Sequence, residues 1–145
     1  MKALLQRVKH AAVDVGAERV GEIDSGLLVF LGLEKGDDFG LGQRMIDKML
    51  AYRVFSDEED RMNRSVADVD GGVLLVSQFT LAADTRKGLR PSFSSAMPPG
   101  DAQLLYEQLL GALCVQHPKV AAGRFGADMQ VSLTNDGPVT FLLEL

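Results

Sequence analysis

Cysteine is nearly missing from this chain. Cys114 is the only one in 145 residues, so no internal disulfide can form, and a reducing cytoplasm is the expected setting. Histidine is almost as scarce. His10 and His117 are the only two, and one Cys with two His cannot assemble a four-ligand zinc site of the usual kind. No apolar run approaches membrane-spanning length; the longest, Leu27 to Leu33, is interrupted by Gly32. The start, Met1-Lys2-Ala3-Leu4-Leu5-Gln6-Arg7, lacks the apolar stretch of a signal peptide. Cations are outnumbered: 15 Lys and Arg face 20 Asp and Glu, for a net charge of −5. That argues against a protein that coats duplex nucleic acid by bulk electrostatics, though not against local contact with one RNA end. Gly71-Gly72 has neither the spacing nor the following Lys-Ser/Thr of a phosphate-cradling loop. The acidic run Ser56 to Asp60 lacks the spaced ligands and glycine of a calcium loop. No metal, no cofactor, no membrane and no DNA are therefore expected.

What remains is ordinary for a globular chain: 46% hydrophobic and 24% charged residues. The length suits a single domain, residues 1–145. Leu4 to Val15 reads as a strand whose alternation slips near His10-Ala11-Ala12, at a bulge. Val20 to Ile23 is a short strand, and Leu27 to Leu31 a strand buried on both faces. Asp37 or Asp38 caps a helix that runs to about Tyr52, with Leu41, Met45 and Met49 on its apolar face. Arg53 to Phe55 is extended. Gly71-Gly72 opens a strand, Val73 to Val76, which runs into Ser77-Gln78-Phe79-Thr80-Leu81. Arg86, Lys87 and Arg90 put three cations in one loop. Asp101 caps a second helix to about Gln116, with Leu105, Leu109, Ala112 and Leu113 inward, and Pro118 stops it. Near the end, Met129, Val131 and Leu133 alternate on one side of Asn135-Asp136-Gly137-Pro138; Val139, Phe141, Leu143 and Leu145 alternate on the other. This predicts two strands joined by a tight reversal. The order predicts an α+β fold: a mainly antiparallel sheet curled into a barrel, with two main helices.

The catalytic inventory is thin. His117 lies at a helix end, where a positive ring would suit the dipole, and His10 lies among basic neighbours. Neither adjoins a nucleophile. Cys114, at core-compatible spacing inside the second helix, is expected to be an inert packed thiol. Ser77 to Thr80 is richer. It offers hydroxyls, an amide that can bind a base edge, an aromatic face for stacking, and N–H groups for an oxyanion. Against this stands the plain alternative of a strand end with capping hydroxyls. The Gly137-Pro138 stretch has the same two faces: a hairpin turn, or a rigid backbone reading head.

Ser77-Gln78-Phe79-Thr80-Leu81 and Asn135-Asp136-Gly137-Pro138-Val139-Thr140 together resemble the paired signatures of the D-aminoacyl-tRNA deacylases, also called D-tyrosyl-tRNA deacylases. The likeness covers essentially the whole chain. It extends through Gln6-Arg7-Val8, Gly26-Leu27-Leu28-Val29, Arg53-Val54-Phe55-Ser56-Asp57, Arg90-Pro91-Ser92-Phe93, Gly123-Arg124-Phe125 and Met129-Gln130-Val131. The resemblance implies a homodimeric cytoplasmic hydrolase that cleaves the ester between a D-amino acid and the 3′ end of tRNA. It implies that Ser77, Gln78, Phe79 and Thr80 form the reaction centre. It further implies a cis Gly137–Pro138 bond in a loop that enters the partner's site and rejects L-aminoacyl esters. Arg7 would brace that loop, and Phe125 and Met129 would line the pocket. Exclusion by backbone also implies cleavage of glycyl-tRNA. Two sources of reactivity stay open, Thr80 as nucleophile or the substrate's own 2′-OH. A non-catalytic RNA-end binder and a plain dimeric structural protein are the rival classes.

Overall fold

A computed structural model describes all residues, Met1–Leu145. The spine is β1 (Lys2–Val15), a 14-residue strand. One edge of β1 is shared in succession. Lys2 to Val8 pairs antiparallel with β3 (Gly26–Gly32), and Ala11 to Val15 pairs antiparallel with β2 (Glu18–Ile23). Its other edge is occupied along nearly its whole length by β8 (Gln130–Glu144), also antiparallel. Beyond β3 come β6 (Gly72–Ser77) and the short β7 (Val120–Ala122), both added in parallel. β2 leans across against β7, so the sheet curls into a nearly closed barrel. The expected barrel with two main helices is present. The sheet is mixed, because the segments between β3, β6 and β7 hold the two helices and bring the chain back in the same direction. β7 was not anticipated: three residues are too few for a period to show.

α1 (Phe39–Ala51) follows Asp38, whose carboxylate accepts from Leu41 N as the expected cap. Met45, Ile46 and Met49 are its buried residues along with Gly42. α2 (Pro99–Gln116) begins earlier than Asp101; Pro98 is the N-cap and makes no side-chain capping bond. Proline at the first helical position needs no intrahelical partner for its nitrogen, so it can open the helix, and Asp101 sits inside the first turn. Leu105, Tyr106, Leu109 and Leu113 of α2 are buried; Ala112 is only half-buried. The two helices and one face of the sheet enclose a core of 22 buried residues. A second cluster, Val8, Ala11, Val13, Ile23, Leu28, Leu74 and Val76, fills the barrel interior. Between the helices, β4 (Phe55–Ser56) and β5 (Met62–Arg64) form a small separate hairpin. Asp57 organises the acidic turn by accepting from the N–H groups of Glu59 and Arg61 and from Asn63 Nδ2.

The largest departure from expectation is at residues 135–139. They do not reverse the chain. β8 continues along β1, with Thr134 opposite His10, Asn135 opposite Val8 and Thr140 opposite Gln6. The Asn-Asp-Gly-Pro stretch is therefore an outward bulge within one strand. The register slip in β1 lies on both sides of Val8, facing this bulge, with another at Val13/Asp14 against β2.

Candidate active site

Ser77 ends β6 at the carboxyl end of the parallel β3–β6 pair, where open sheets tend to bind ligands. Gln78 hooks the chain back to β3 by donating its N–H to Leu31 O at 2.8 Å. Phe79 to Ala82 then form a 3₁₀ turn over Gly32. A Cβ on Gly32 would come 2.8 Å from Leu81 Cβ and 3.1 Å from Gln78 O, so only a bare backbone lets the turn pack this close. The first N–H groups of such a turn have no acceptor within it, so those of Phe79 and Thr80 are available to an oxyanion.

This turn forms one wall of a cavity of about 770 Å³. Ser77, Gln78 and Phe79 line it, together with Phe125 and Met129 from the segment before β8. Phe93, Met97, Pro98 and Pro99 line it as well. Phe79 is 62% exposed and packs on Phe93 with ring centroids 5.0 Å apart, so the cavity lining includes an aromatic pair. Phe125 packs behind on Tyr106 at 5.7 Å. Burial pushes Tyr106 well above the ordinary tyrosine range, so it is a neutral hydroxyl that donates to Leu75 O and not a base. Thr80 is exposed and does not line the cavity. Its side-chain partner is the Gln78 amide, which has no basicity to take a proton.

Gly137 and Pro138 are exposed, and no residue of 135–140 lines this chain's cavity. The Gly137–Pro138 bond is cis. The bulge is held firmly. Arg7, with its side chain 13% exposed, donates from Nε to Asp136 O at 2.9 Å and from Nη1 to Val54 O at 2.7 Å. At the neck, Val139 N donates to Asn135 Oδ1 at 2.7 Å and Asn135 Nδ2 donates to Val139 O at 3.3 Å. The Asn135 amide thus stands in for a missing ladder residue. Gly137 has φ +148°, and a Cβ there would lie 2.6 Å from Val139 Cγ2 and 2.8 Å from Val139 N.

The candidates therefore fall into two groups. Ser77, Gln78, Phe79, Phe125 and Met129 meet at the cavity; Arg7, Gly137 and Pro138 meet at the bulge; Thr80 lies beside the first group. Phe93 entered the sequence reading only within a stretch that carries the resemblance, and Met97 and Pro98 had no site role there, because residues that meet at a cavity need no spacing relation along the chain. Other expectations change. Cys114 is exposed on the outer side of α2, not packed. His117 is buried and hydrogen-bonds Gly71 O at 2.7 Å, a bond between elements and not one to its own helix end. His10 pairs with Glu22 at 2.7 Å. Of the three loop cations, Arg86 is gripped by both oxygens of Asp84, which holds that carboxyl far below the usual range. Among the side chains, no group of three or more His, Cys, Asp and Glu could hold a metal ion.

Comparison with known proteins bears on this geometry. A protein from Stutzerimonas stutzeri (strain A1501), named D-aminoacyl-tRNA deacylase, is 62% identical over 144 residues, covering 99% of each chain. A solved structure described as "c-Myc DNA Unwinding Element Binding Protein" superposes with a TM-score of 0.95 at 41% identity, covering 100% of this chain and 99% of the other. Another, described as a probable eukaryotic D-amino acid tRNA deacylase, shares the fold at a TM-score of 0.86 and 14% identity, covering 99% and 98%. The model of the D-Tyr-tRNA(Tyr) deacylase family matches residues 4–144, so it spans both the cavity and the bulge, and with the whole-length relative it establishes that this chain belongs to the D-aminoacyl-tRNA deacylase family.

Proposed function

We propose that this deacylase hydrolyses the ester between a D-amino acid and the 3′-terminal ribose of tRNA as a homodimer in the cytoplasm, and that the Gly137–Pro138 backbone of one subunit enters the cavity of the other to reject L-aminoacyl esters. One observation carries the cross-subunit reading. A braced, exposed piece of backbone and an aromatic cavity lie on the same chain, yet no residue of the bulge lines that cavity. A second copy supplies what one chain keeps apart.

In this reading the terminal adenine lies between Phe79 and Phe125, and Gln78 reads its edge. The ester carbonyl faces the N–H groups of Phe79 and Thr80, which receive the charge that develops when water adds. The ribose 2′-OH accepts the water's proton while passing its own to the departing 3′-oxygen, so the C–O ester bond breaks to leave a free amino-acid carboxyl and a 3′-hydroxyl. This chain supplies position and an oxyanion site and no base; an unassisted Thr80 hydroxyl is a poor nucleophile. Selectivity follows from shape. With the α-ammonium and the ester both fixed, the Cα hydrogen and the side chain have two places to go. A D side chain points to open space, whereas an L side chain strikes main-chain atoms that cannot swing aside. Glycine strikes nothing, so glycyl-tRNA is a substrate too. A rival RNA-end binder would form no product. One solved relative is named for binding a DNA element, but a net charge of −5 weighs against duplex contact here.

Three experiments test this. In the first, D-Tyr-, Gly- and L-Tyr-tRNA are offered in turn; the first two are cleaved and the third is not. An inert glycyl ester would overturn exclusion as the mechanism. In the second, Phe79→Ala subunits with an intact bulge are mixed with Gly137→Ala subunits with an intact cavity. The mixed dimer regains one site that cleaves D-Tyr-tRNA and spares L-Tyr-tRNA, because the intact bulge reaches the intact cavity. Absence of any recovery would mean that each bulge serves its own chain. Thr80→Ala retains most activity; its complete loss would restore the nucleophile.

A further inference from the structure

We infer that Lys35 anchors the phosphodiester that precedes the terminal nucleoside, and so fixes the direction in which the tRNA end enters the cavity. The inference rests on the proposed seating of the terminal nucleoside in that cavity. Lys35 is the only ionisable side chain among the residues that line it. The carboxylates beside it in sequence are committed elsewhere. Glu34 pairs with the N-terminal ammonium at 2.9 Å and with Lys2. Asp37 pairs with the same ammonium at 3.0 Å and accepts from Glu34 N. Asp38 caps α1. Lys35 itself is exposed and makes no ion pair or side-chain hydrogen bond, so its ammonium is unneutralised.

Its backbone is fixed. Lys35 N donates to Ser95 O at 2.9 Å, Met97 N donates to Leu33 O at 3.0 Å, and Glu34 bridges to Ala96. These bonds tie the β3–α1 connection to the segment from Phe93 to Pro99, which also lines the cavity. A flexible stem on a rigid base suits a point-charge contact to phosphate.

Charge then sorts the two ends of the ligand. The α-ammonium of an aminoacyl ester is repelled by Lys35, and the ester belongs at the N–H groups of Phe79 and Thr80. The one anion of the terminal nucleotide is its 5′-phosphodiester, which belongs at Lys35. The loop cations serve less well: Arg86 is neutralised by Asp84, and neither Lys87 nor Arg90 lines the cavity.

The test uses two minimal substrates, the D-Tyr ester on the 3′-oxygen of adenosine and the same ester on adenosine 5′-monophosphate. With wild-type protein the phosphate raises kcat/KM by roughly fivefold, the scale of an exposed ion pair. Lys35→Ala removes that advantage and leaves the adenosine ester unchanged; Lys35→Arg keeps most of it. On full D-Tyr-tRNA, Lys35→Ala flattens the dependence of log KM on log salt by about 0.7, the value for one contact to a single strand. An equal loss on both esters would overturn the assignment. So would a loss confined to D-Asp and D-Glu esters, which would place a substrate carboxylate at Lys35. Should wild type cleave neither minimal ester, the salt dependence on tRNA decides, and an unchanged slope in Lys35→Ala overturns the inference. Failure of the nucleoside seating itself reads differently: Phe79→Ala and Phe125→Ala would then leave hydrolysis of both esters intact.

Discussion

Tyr106 connects the site to the core. Its ring backs Phe125, and its hydroxyl donates to Leu75 O at 2.9 Å in the middle of β6. Burial raises its pKa above the ordinary 10.0, so the folded protein favours the neutral phenol. The unfolded chain gives up this proton at the ordinary value. The stabilisation is therefore complete below pH 10.0 and is lost as pH climbs from there towards the raised value of the folded state. Tyr106→Phe should lose about 1 kcal/mol at neutral pH, for the missing hydrogen bond, but decline less steeply above that point. Denaturant unfolding of both proteins across the alkaline range checks it. A parallel decline would show that Tyr106 does not carry the alkaline loss. Cys114 makes the opposite point at this scale. Helical spacing marked it as packed, yet it is exposed on α2, because a Cys one position off an apolar stripe looks much like one within it.

At the scale of elements, β8 is the instructive case. Two alternating stretches separated by Asn-Asp-Gly-Pro have the local chemistry of a hairpin. A bulge uses the same chemistry, since both need a glycine free of φ limits and an Asn that replaces backbone partners. What distinguishes them is the availability of an edge. β1 is long enough to pair with both halves of β8, so the chain runs straight and throws the extra residues outward. Arg7 holds the result in place through two main-chain carbonyls and could not be found from spacing, because its partners are Val54 and Asp136, 47 and 129 residues away. Arg7→Ala leaves both carbonyls without that donor. It should cost about 1–3 kcal/mol and relax the bulge. The expected signature is a lower unfolding midpoint together with a larger fractional loss of activity on D-aminoacyl-tRNA than in Lys9→Ala. Lys9 reaches only the Asp136 carboxylate, at 3.3 Å, from an exposed position. Equal effects of the two variants would remove bracing from the account.

At the scale of the molecule, β8 also keeps apolar side chains in the open: Leu133 is 36% exposed, Phe141 37% and Leu142 50%. They share a strand with the bulge that is proposed to serve a second copy. Apolar groups gathered along one strand of a single chain fit a self-complementary contact. The expectation is that wild type sediments as a dimer. Leu142→Glu should sediment as a monomer, keep its far-ultraviolet spectrum and lose hydrolysis. A dimer with full activity would place the subunit contact elsewhere. By itself the sequence determined the long β1, the capped α1, the apolar face of α2, the strand that ends at Ser77 and the family, because periodicity, caps and contiguous motifs are local and survive being read in one dimension. Only the tertiary structure decided that the sheet is mixed, that residues 135–139 bulge and do not turn, that Arg7 and Val54 meet, that Phe93 packs on Phe79 and that Lys35 lines the same cavity. Those outcomes depend on which strand edges are free and which distant segments share a cavity, and no spacing along the chain encodes them.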